Sequence, residues 1–199
     1  SAIGIYGGSR GDEPPTEASA PGEGFLAEAC RESESATRPA EQARVRVVHA
    51  RTGLVLSAAG GVLAAHLPAI AAGLGPRLGD GRQWQSWIGI DDMIAGLAAA
   101  AIDPGFTGPI NLSAPEPVRQ AEFVAAVAGR LHRPSGLPVP LAAPKAVLGA
   151  EATESLLAAH QRVSPAALLS QGFTFRHSLL EAALFHLLCT PSHPEETTS

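Results

Sequence analysis

The stretch Arg44-Val-Arg-Val-Val-His-Ala-Arg51, closed by the Thr52-Gly53 step, decides the fold class. Its β-branched residues form a run of strand length, and the turn-forming step that follows bounds it. Outward from it, Pro109 to Ser113 predicts a second strand. Trp84 to Ile90 predicts a short extended segment running into Asp91-Asp92. Those aspartates suit a helix start, where a side-chain oxygen accepts from free N–H groups and negative charge complements the dipole. Ile94, Leu97, Ala98 and Ala101 then recur at helical spacing.

Further helices are predicted over Phe25 to Arg38, stopped by Pro39, and over Val62 to Ala72, interrupted by Pro68. Phe123, Val124, Val127 and Leu131 mark another, behind a weak start at Arg119-Gln120, and shorter pieces fall at Val147 to Ala159 and Pro165 to Ser170. Ser178 and Glu181 fit a capping box ahead of a last apolar helix. Gly73 to Arg82, with four glycines and a proline, reads as a loop. Alternating strands and helices that pass into a helical end indicate the α/β class. Two firm strands and two weaker ones are few for a parallel sheet, whose strands need neighbours on both sides. The chain also opens at Ser1 directly inside an apolar stretch, so strands are expected upstream.

Composition narrows the function classes. The 199 residues are 45% apolar and 17% charged, with net charge -5 and no Lys/Arg cluster, which excludes a nucleic-acid surface. Two cysteines, Cys30 and Cys189, make no disulfide framework and no metal knuckle, and indicate a reducing, cytoplasmic setting. No apolar run approaches the roughly 18 to 20 residues of a membrane span, and no secretory pattern opens the chain. Seven histidines are scattered, without an H-E-x-x-H pair, and no serine lies in a G-x-S-x-G elbow. Metal and serine-hydrolase chemistry are therefore poor readings.

A set of ordered segments carries more. They include Ser1-Ala-Ile-Gly-Ile-Tyr-Gly7, Gly24-Phe-Leu-Ala-Glu-Ala-Cys30, Val48-His-Ala-Arg-Thr-Gly-Leu-Val-Leu56 and Gly79-Asp-Gly-Arg-Gln-Trp84. Trp87-Ile-Gly-Ile-Asp-Asp92, Gly108-Pro-Ile-Asn-Leu-Ser-Ala-Pro-Glu-Pro117, Leu137-Pro-Val-Pro140 and Gln161-Arg-Val-Ser-Pro165 follow. In this order and spacing, from Ser1 to about Leu188, the chain resembles the atypical extended short-chain dehydrogenase/reductases called epimerase family proteins.

The resemblance implies the C-terminal part of a Rossmann-like doubly wound parallel sheet, with a mostly helical substrate-side domain. It divides the chain into a partial Rossmann domain over 1–115, a helical domain over 116–189 and a disordered tail over 190–199. It also implies NADP or NAD as cofactor, and a small, nucleotide-sugar-like substrate whose identity these residues leave open. A homodimer is compatible with it. The G-x-G-x-x-G phosphate turn of such folds is absent from this sequence, so weak or no dinucleotide binding is expected, together with marginal stability.

The wider superfamily works with Ser, Tyr and Lys. The resemblance places Ser1 at the serine position, but Leu26 and Cys30 at the tyrosine and lysine positions, and neither does acid–base work of that kind. Tyr6, the chain's only tyrosine, is then either a substitute acid or an aromatic packing under its loop. Arg51, Thr52, Gly53 and Val55 correspond to the segment that passes the nicotinamide, with Arg51 either an anion clamp or half of a structural ion pair. Arg82 and Trp84 match the region that grips the substrate's anionic part, and Trp87 reads as a core aromatic. The rival reading is a non-catalytic binding or interaction module derived from the same fold.

Overall fold

The β-branched run forms β1 (Val48–Thr52) in the computed structural model, which describes residues 1–8, 13–139 and 162–189. It pairs in parallel with β6 (Gly108–Leu112), in register from Val48 opposite Gly108 to Thr52 opposite Leu112. On its other side, among the described residues, β1 meets only a bridge between Ala2 and Thr52. Just past β1 the chain changes partners. Gly53 N–H donates to the Leu112 carbonyl, Leu54 N–H donates to the Ser86 carbonyl, and β2 (Leu54–Leu56) pairs in parallel with β5 (Trp87–Gly89). A Cβ on Gly53 would lie 2.6 Å from the Ser86 oxygen, so the crossing admits no side chain.

Two further pairs complete the described sheets. β3 (Gly75–Leu78) runs parallel to β8 (Ser135–Val139), and β4 (Trp84–Gln85) runs antiparallel to β7 (Val118–Arg119). The loop expected over Gly73 to Arg82 therefore contains a strand. Gly75 suits a tight approach, because a Cβ there would meet Ser135 Cα at 3.0 Å. The buried Gln120 amide holds the same strand, accepting from Leu78 N–H and donating to the Pro76 carbonyl.

The helices are α1 (Phe25–Ser35), α2 (Arg38–Gln42), α3 (Gly61–Ala71), α4 (Ile90–Ile102), α5 (Gln120–Arg130), α6 (Ala166–Ser170) and α7 (Leu180–Cys189). Pro39 opens α2 rather than simply ending α1, since the first turn of a helix has no use for its missing N–H. The start of α5 is capped by Glu122, whose carboxylate accepts from Arg119 N–H at 2.7 Å. Ile3–Tyr6 forms a 3-10 turn packed on α1. The piece expected at Val147 to Ala159 and the tail at 190–199 lie outside the described residues.

Helix α4 corrects the sequence reading twice. Asp91 and Asp92 sit in its first turn, but the residue before the helix is Gly89, without a side-chain cap. Asp92, only 2% exposed, instead accepts from the backbone N–H of Arg176 and His177, while Asp91 pairs with His186 on α7 at 2.8 Å. The aspartates thus tie the C-terminal segment to α4. The second correction concerns its faces: Ile94 is 59% exposed, and Leu97, Ala98 and Ala101 are exposed with it. Asp92, Gly96 and Ala100 turn inward, because a small stripe lets the helix lie close to β6; a Cβ on Gly96 would reach Leu112 Cδ2 at 2.9 Å. Arg46 closes the other end of α4, donating to the carbonyls of Ala100 and Ala101.

The apolar core gathers Leu56, Leu63, Ile70 and Trp87 with Phe123, Val124, Val127 and Leu184, so residues on both sides of position 115 share it. A second cluster around Ile88, Ile110, Leu112 and Leu168 packs α4 and α6 against the strands. Among the described residues no helix is long and apolar enough to cross a membrane.

Candidate functional site

Three of the sequence-predicted site residues meet in one polar network at the carboxyl ends of the parallel strands, where ligands of α/β sheets bind. Arg51, at the end of β1, is 6% exposed. Its Nε and Nη2 donate to the two carboxylate oxygens of Glu34 on α1, both at 2.8 Å, in a bidentate pair. Its Nη1 donates to the Tyr6 hydroxyl at 2.9 Å. Tyr6 donates in turn to Asn111 Oδ1 at 2.7 Å, and Asn111 Nδ2 donates to the Ser164 carbonyl at 2.8 Å. At the other end Ser1, which is exposed, donates its hydroxyl to Glu34 Oε1 at 2.8 Å.

Electrostatics follow from this geometry. Burial alone would push the Glu34 carboxyl up, but hydrogen bonds from Arg51 and Ser1 outweigh it and hold the carboxyl below its ordinary range. Burial would likewise lower Arg51, and Glu34 and Tyr6 overcome it, so the guanidinium is held above its usual range. Tyr6 goes the other way: burial dominates and raises its phenol. Of the two roles open to Tyr6, the packed aromatic is the one this geometry favours, since its proton is engaged by Asn111 and its pKa moves away from neutrality. Arg51 likewise has the ion pair that the sequence left as an alternative.

The remaining predicted positions spread outward. Thr52 is half-buried, its N–H donating to the Ser1 carbonyl at 3.4 Å. Val55 packs into the cluster around Ile88. The space a Cβ would occupy at Gly53 is filled by the Ser86 carbonyl, so its smallness serves the strand crossing. Leu26 lies against Gly4, and Cys30 packs on the Ile3, Ile5, Tyr6 and Val163 cluster.

Arg82 and Trp84 belong to a second cluster. The Arg119 and Arg162 guanidiniums lie over the Trp84 ring, 3.6 and 4.8 Å from its centroid. Arg119 also donates to the carbonyl of the exposed Arg82. One extended segment joins both clusters: Arg162 covers Trp84, Val163 N–H donates to Ser86 Oγ, and Ser164 receives Asn111. Glu17 clamps it from above, one carboxylate oxygen accepting from the N–H of both Asn111 and Ala167.

Glu34, Asn111, Glu17, Arg119 and Arg162 were not legible as site residues. Glu34 is one carboxylate among several in a helix, and the others lie far from their partners in sequence. Among the described residues no group of three or more His, Cys, Asp or Glu is placed to hold a metal ion.

The comparisons with known proteins agree with this architecture. A family model described as "Domain of unknown function (DUF1731)" matches residues 139–187. An epimerase family protein of Mycobacterium bovis is 44% identical over 191 residues, covering 96% of this chain and 63% of its own length. The crystal structure of human epimerase family protein SDR39U1 (isoform 2) with NADPH superposes with a TM-score of 0.86 at 30% identity, over 94% of this chain and 62% of that one. The nucleoside-diphosphate sugar epimerase of Corynebacterium glutamicum gives 0.77 at 39% identity, over 94% of this chain and 36% of that one. The chain thus spans less than two thirds of the length of these relatives.

Proposed function

We propose, on the premise that this chain is a homologue of the epimerase family proteins with their Rossmann-like fold, that it supplies the substrate side of an NAD(P)-dependent oxidoreductase or epimerase. The substrate is an anionic, nucleotide-sugar-like molecule. The observation that carries the reading is the pair of guanidiniums over Trp84, with Arg82 beside them. Arginine cannot lose its charge at neutral pH, and its planar fork matches phosphate oxygens. An aromatic ring beside such groups fits a ligand that combines diphosphate with a flat base or a sugar.

The nicotinamide cofactor, NADP or NAD, supplies hydride transfer when bound in proteins of this kind. Thr52 closes β1, and it is this residue, with Val55 of β2, that the reading assigns to the cofactor's ring. The pyrophosphate has no grip here, because the sequence lacks the glycine-rich turn. With Leu26 and Cys30 packed at the proton-transfer positions, the 199 residues are catalytically silent on their own.

Tryptophan fluorescence titrated with UDP-glucose tests the reading. Saturable quenching that weakens at least tenfold in Arg119→Ala and Arg162→Ala is expected, while NADPH gives no saturable signal with this chain. Quenching indifferent to both arginines would refute the site.

The same packing of Leu26 and Cys30 favours a second reading, a non-catalytic nucleotide-sugar-binding module. Saturable UDP-glucose binding, with no hydride passing between sugar and NADPH when the full relative is assayed, would support that module over the enzyme.

A further inference from the structure

Among the described residues β6 has a strand neighbour on one side only, β1, so an N–H on its outer edge must find its acceptor elsewhere. The N–H of Asn111, a residue with no exposed surface, donates to Glu17 Oε1 at 3.0 Å. The same oxygen accepts from Ala167 N–H at 3.1 Å. One carboxylate arm from the 13–20 loop thereby ties the sheet edge to the segment that follows Arg162. Two residues earlier in that loop, the Pro15 carbonyl accepts from Ser164 N–H at 3.0 Å. Asn111 Nδ2 donates to the Ser164 carbonyl and Val163 N–H donates to Ser86 Oγ, both at 2.8 Å. These bonds hold the backbone just past Arg162, whose guanidinium lies 4.8 Å from the Trp84 ring centroid. A long side chain stays over a ring only when its backbone is held, because otherwise it spreads over many rotamers.

We propose that Glu17 is a positioning residue for the Trp84 cluster: by fastening Asn111 to Ala167 it holds the 162–167 segment where Arg162 reaches the ring, and so sets the affinity for the anionic ligand without touching it. The proposal rests on the reading of the two guanidiniums as the ligand's grip, and deepens it by making that grip depend on the 13–20 loop. Reach, not charge, is what the position requires. One oxygen serves both N–H groups, so an amide oxygen on a side chain of the same length can replace it. A carboxylate one methylene shorter cannot meet both donors while the loop backbone keeps its bond to Ser164. Charge alone gives the opposite sign: a carboxylate repels an anionic ligand, so removing Glu17 would tighten binding.

UDP-glucose is titrated against the chain and its Glu17→Gln, Glu17→Asp and Glu17→Ala variants by tryptophan fluorescence. The ring-current shift of the Arg162 Hδ protons is read by NMR on the same proteins without ligand. Glu17→Gln should bind as the wild type does and keep the shift. Glu17→Asp and Glu17→Ala should bind about fivefold more weakly or worse, with the Arg162 resonance moved toward that of a free arginine. That signature belongs to the folded state, so it separates positioning from a loss of stability, and the Asp and Gln variants carry the comparison alone where the alanine variant fails to fold. Tighter binding by Glu17→Ala overturns the proposal. So does an Arg162 resonance unmoved in Glu17→Asp, or an aspartate variant that binds like the wild type while the glutamine variant weakens. If UDP-glucose fails to bind the wild type while the Arg162 resonance moves as expected, the substrate reading of Trp84 falls, and the ligand role of Glu17 with it.

Discussion

Replacing Glu34 by Gln leaves a guanidinium that is 6% exposed without its carboxylate. The substitution keeps the shape and one acceptor, so its effect isolates charge. Removing one member of a buried pair costs about 3–5 kcal/mol, because the remaining charge stays desolvated and uncompensated. Side-chain exposures of 7% for Arg51 and 12% for Glu34 leave some solvent screening, which argues for the lower end, about 3 kcal/mol. For a chain of this size that corresponds to a fall of about 6–12 °C in melting temperature.

The pH dependence carries its own sign. Glu34 is held below its ordinary value when folded, so between the two values the unfolded chain binds more protons. The pair's contribution is complete above the ordinary carboxyl value and is lost as pH falls through the folded one. Glu34→Gln should flatten that part of the acid limb. Urea unfolding of wild type, Glu34→Gln, Arg51→Met and the double variant at pH 7, repeated at pH 4, measures both effects. The double variant should be more stable than Glu34→Gln alone, since it removes the stranded charge. A cost below 1 kcal/mol, or a double variant as unstable as the sum of the singles, would refute the buried-pair account.

Other consequences are as direct. Because Tyr6 is the chain's only tyrosine and burial raises its phenol, its ionisation, read by absorbance near 295 nm, should be displaced to higher pH than that of a free tyrosine, and a midpoint at or below the free one would contradict the burial. Stability should decline once pH passes the unfolded value, since the raised group favours its neutral form only in the fold. Gly53→Ala should destabilise by roughly 1–3 kcal/mol through its contact with the Ser86 carbonyl, whereas Gly129→Ala, with nothing near its Cβ, should stabilise α5 by about 0.5–1 kcal/mol; paired thermal melts read both. Asp92→Asn replaces one of the two oxygens that accept from the Arg176 and His177 N–H groups by a donor, leaving one of them unmatched at a cost of about 1–3 kcal/mol of stability. Hydrogen exchange at Arg176 and His177 should accelerate in that variant, and unchanged rates there would contradict the anchoring role.

Much of the fold was legible because short-range chemistry suffices for it. The β-branched run before Thr52-Gly53 became β1, and Pro109 to Ser113 fell on β6, since strand propensity is written in consecutive residues. The ordered segments identified the fold and pointed to Ser1, Tyr6 and Arg51, which the structure brings into one network. Periodicity found helix α4 but chose the wrong face. Apolar spacing favours the larger Ile94 and Leu97, while the packing distance is set by Gly96 and Ala100 against Leu112.

What the linear order determined by itself was the α/β class, the position of most elements, and the lack of any glycine-rich phosphate turn, all properties of neighbouring residues. Which partner neutralises Arg51, where the Tyr6 proton points, and that Arg162 covers Trp84 were decided only by the folded chain. Those contacts join residues 17, 105 and 78 positions apart, and hydrogen-bond direction and desolvation depend on atoms brought within about 3 Å, a relation no local pattern encodes.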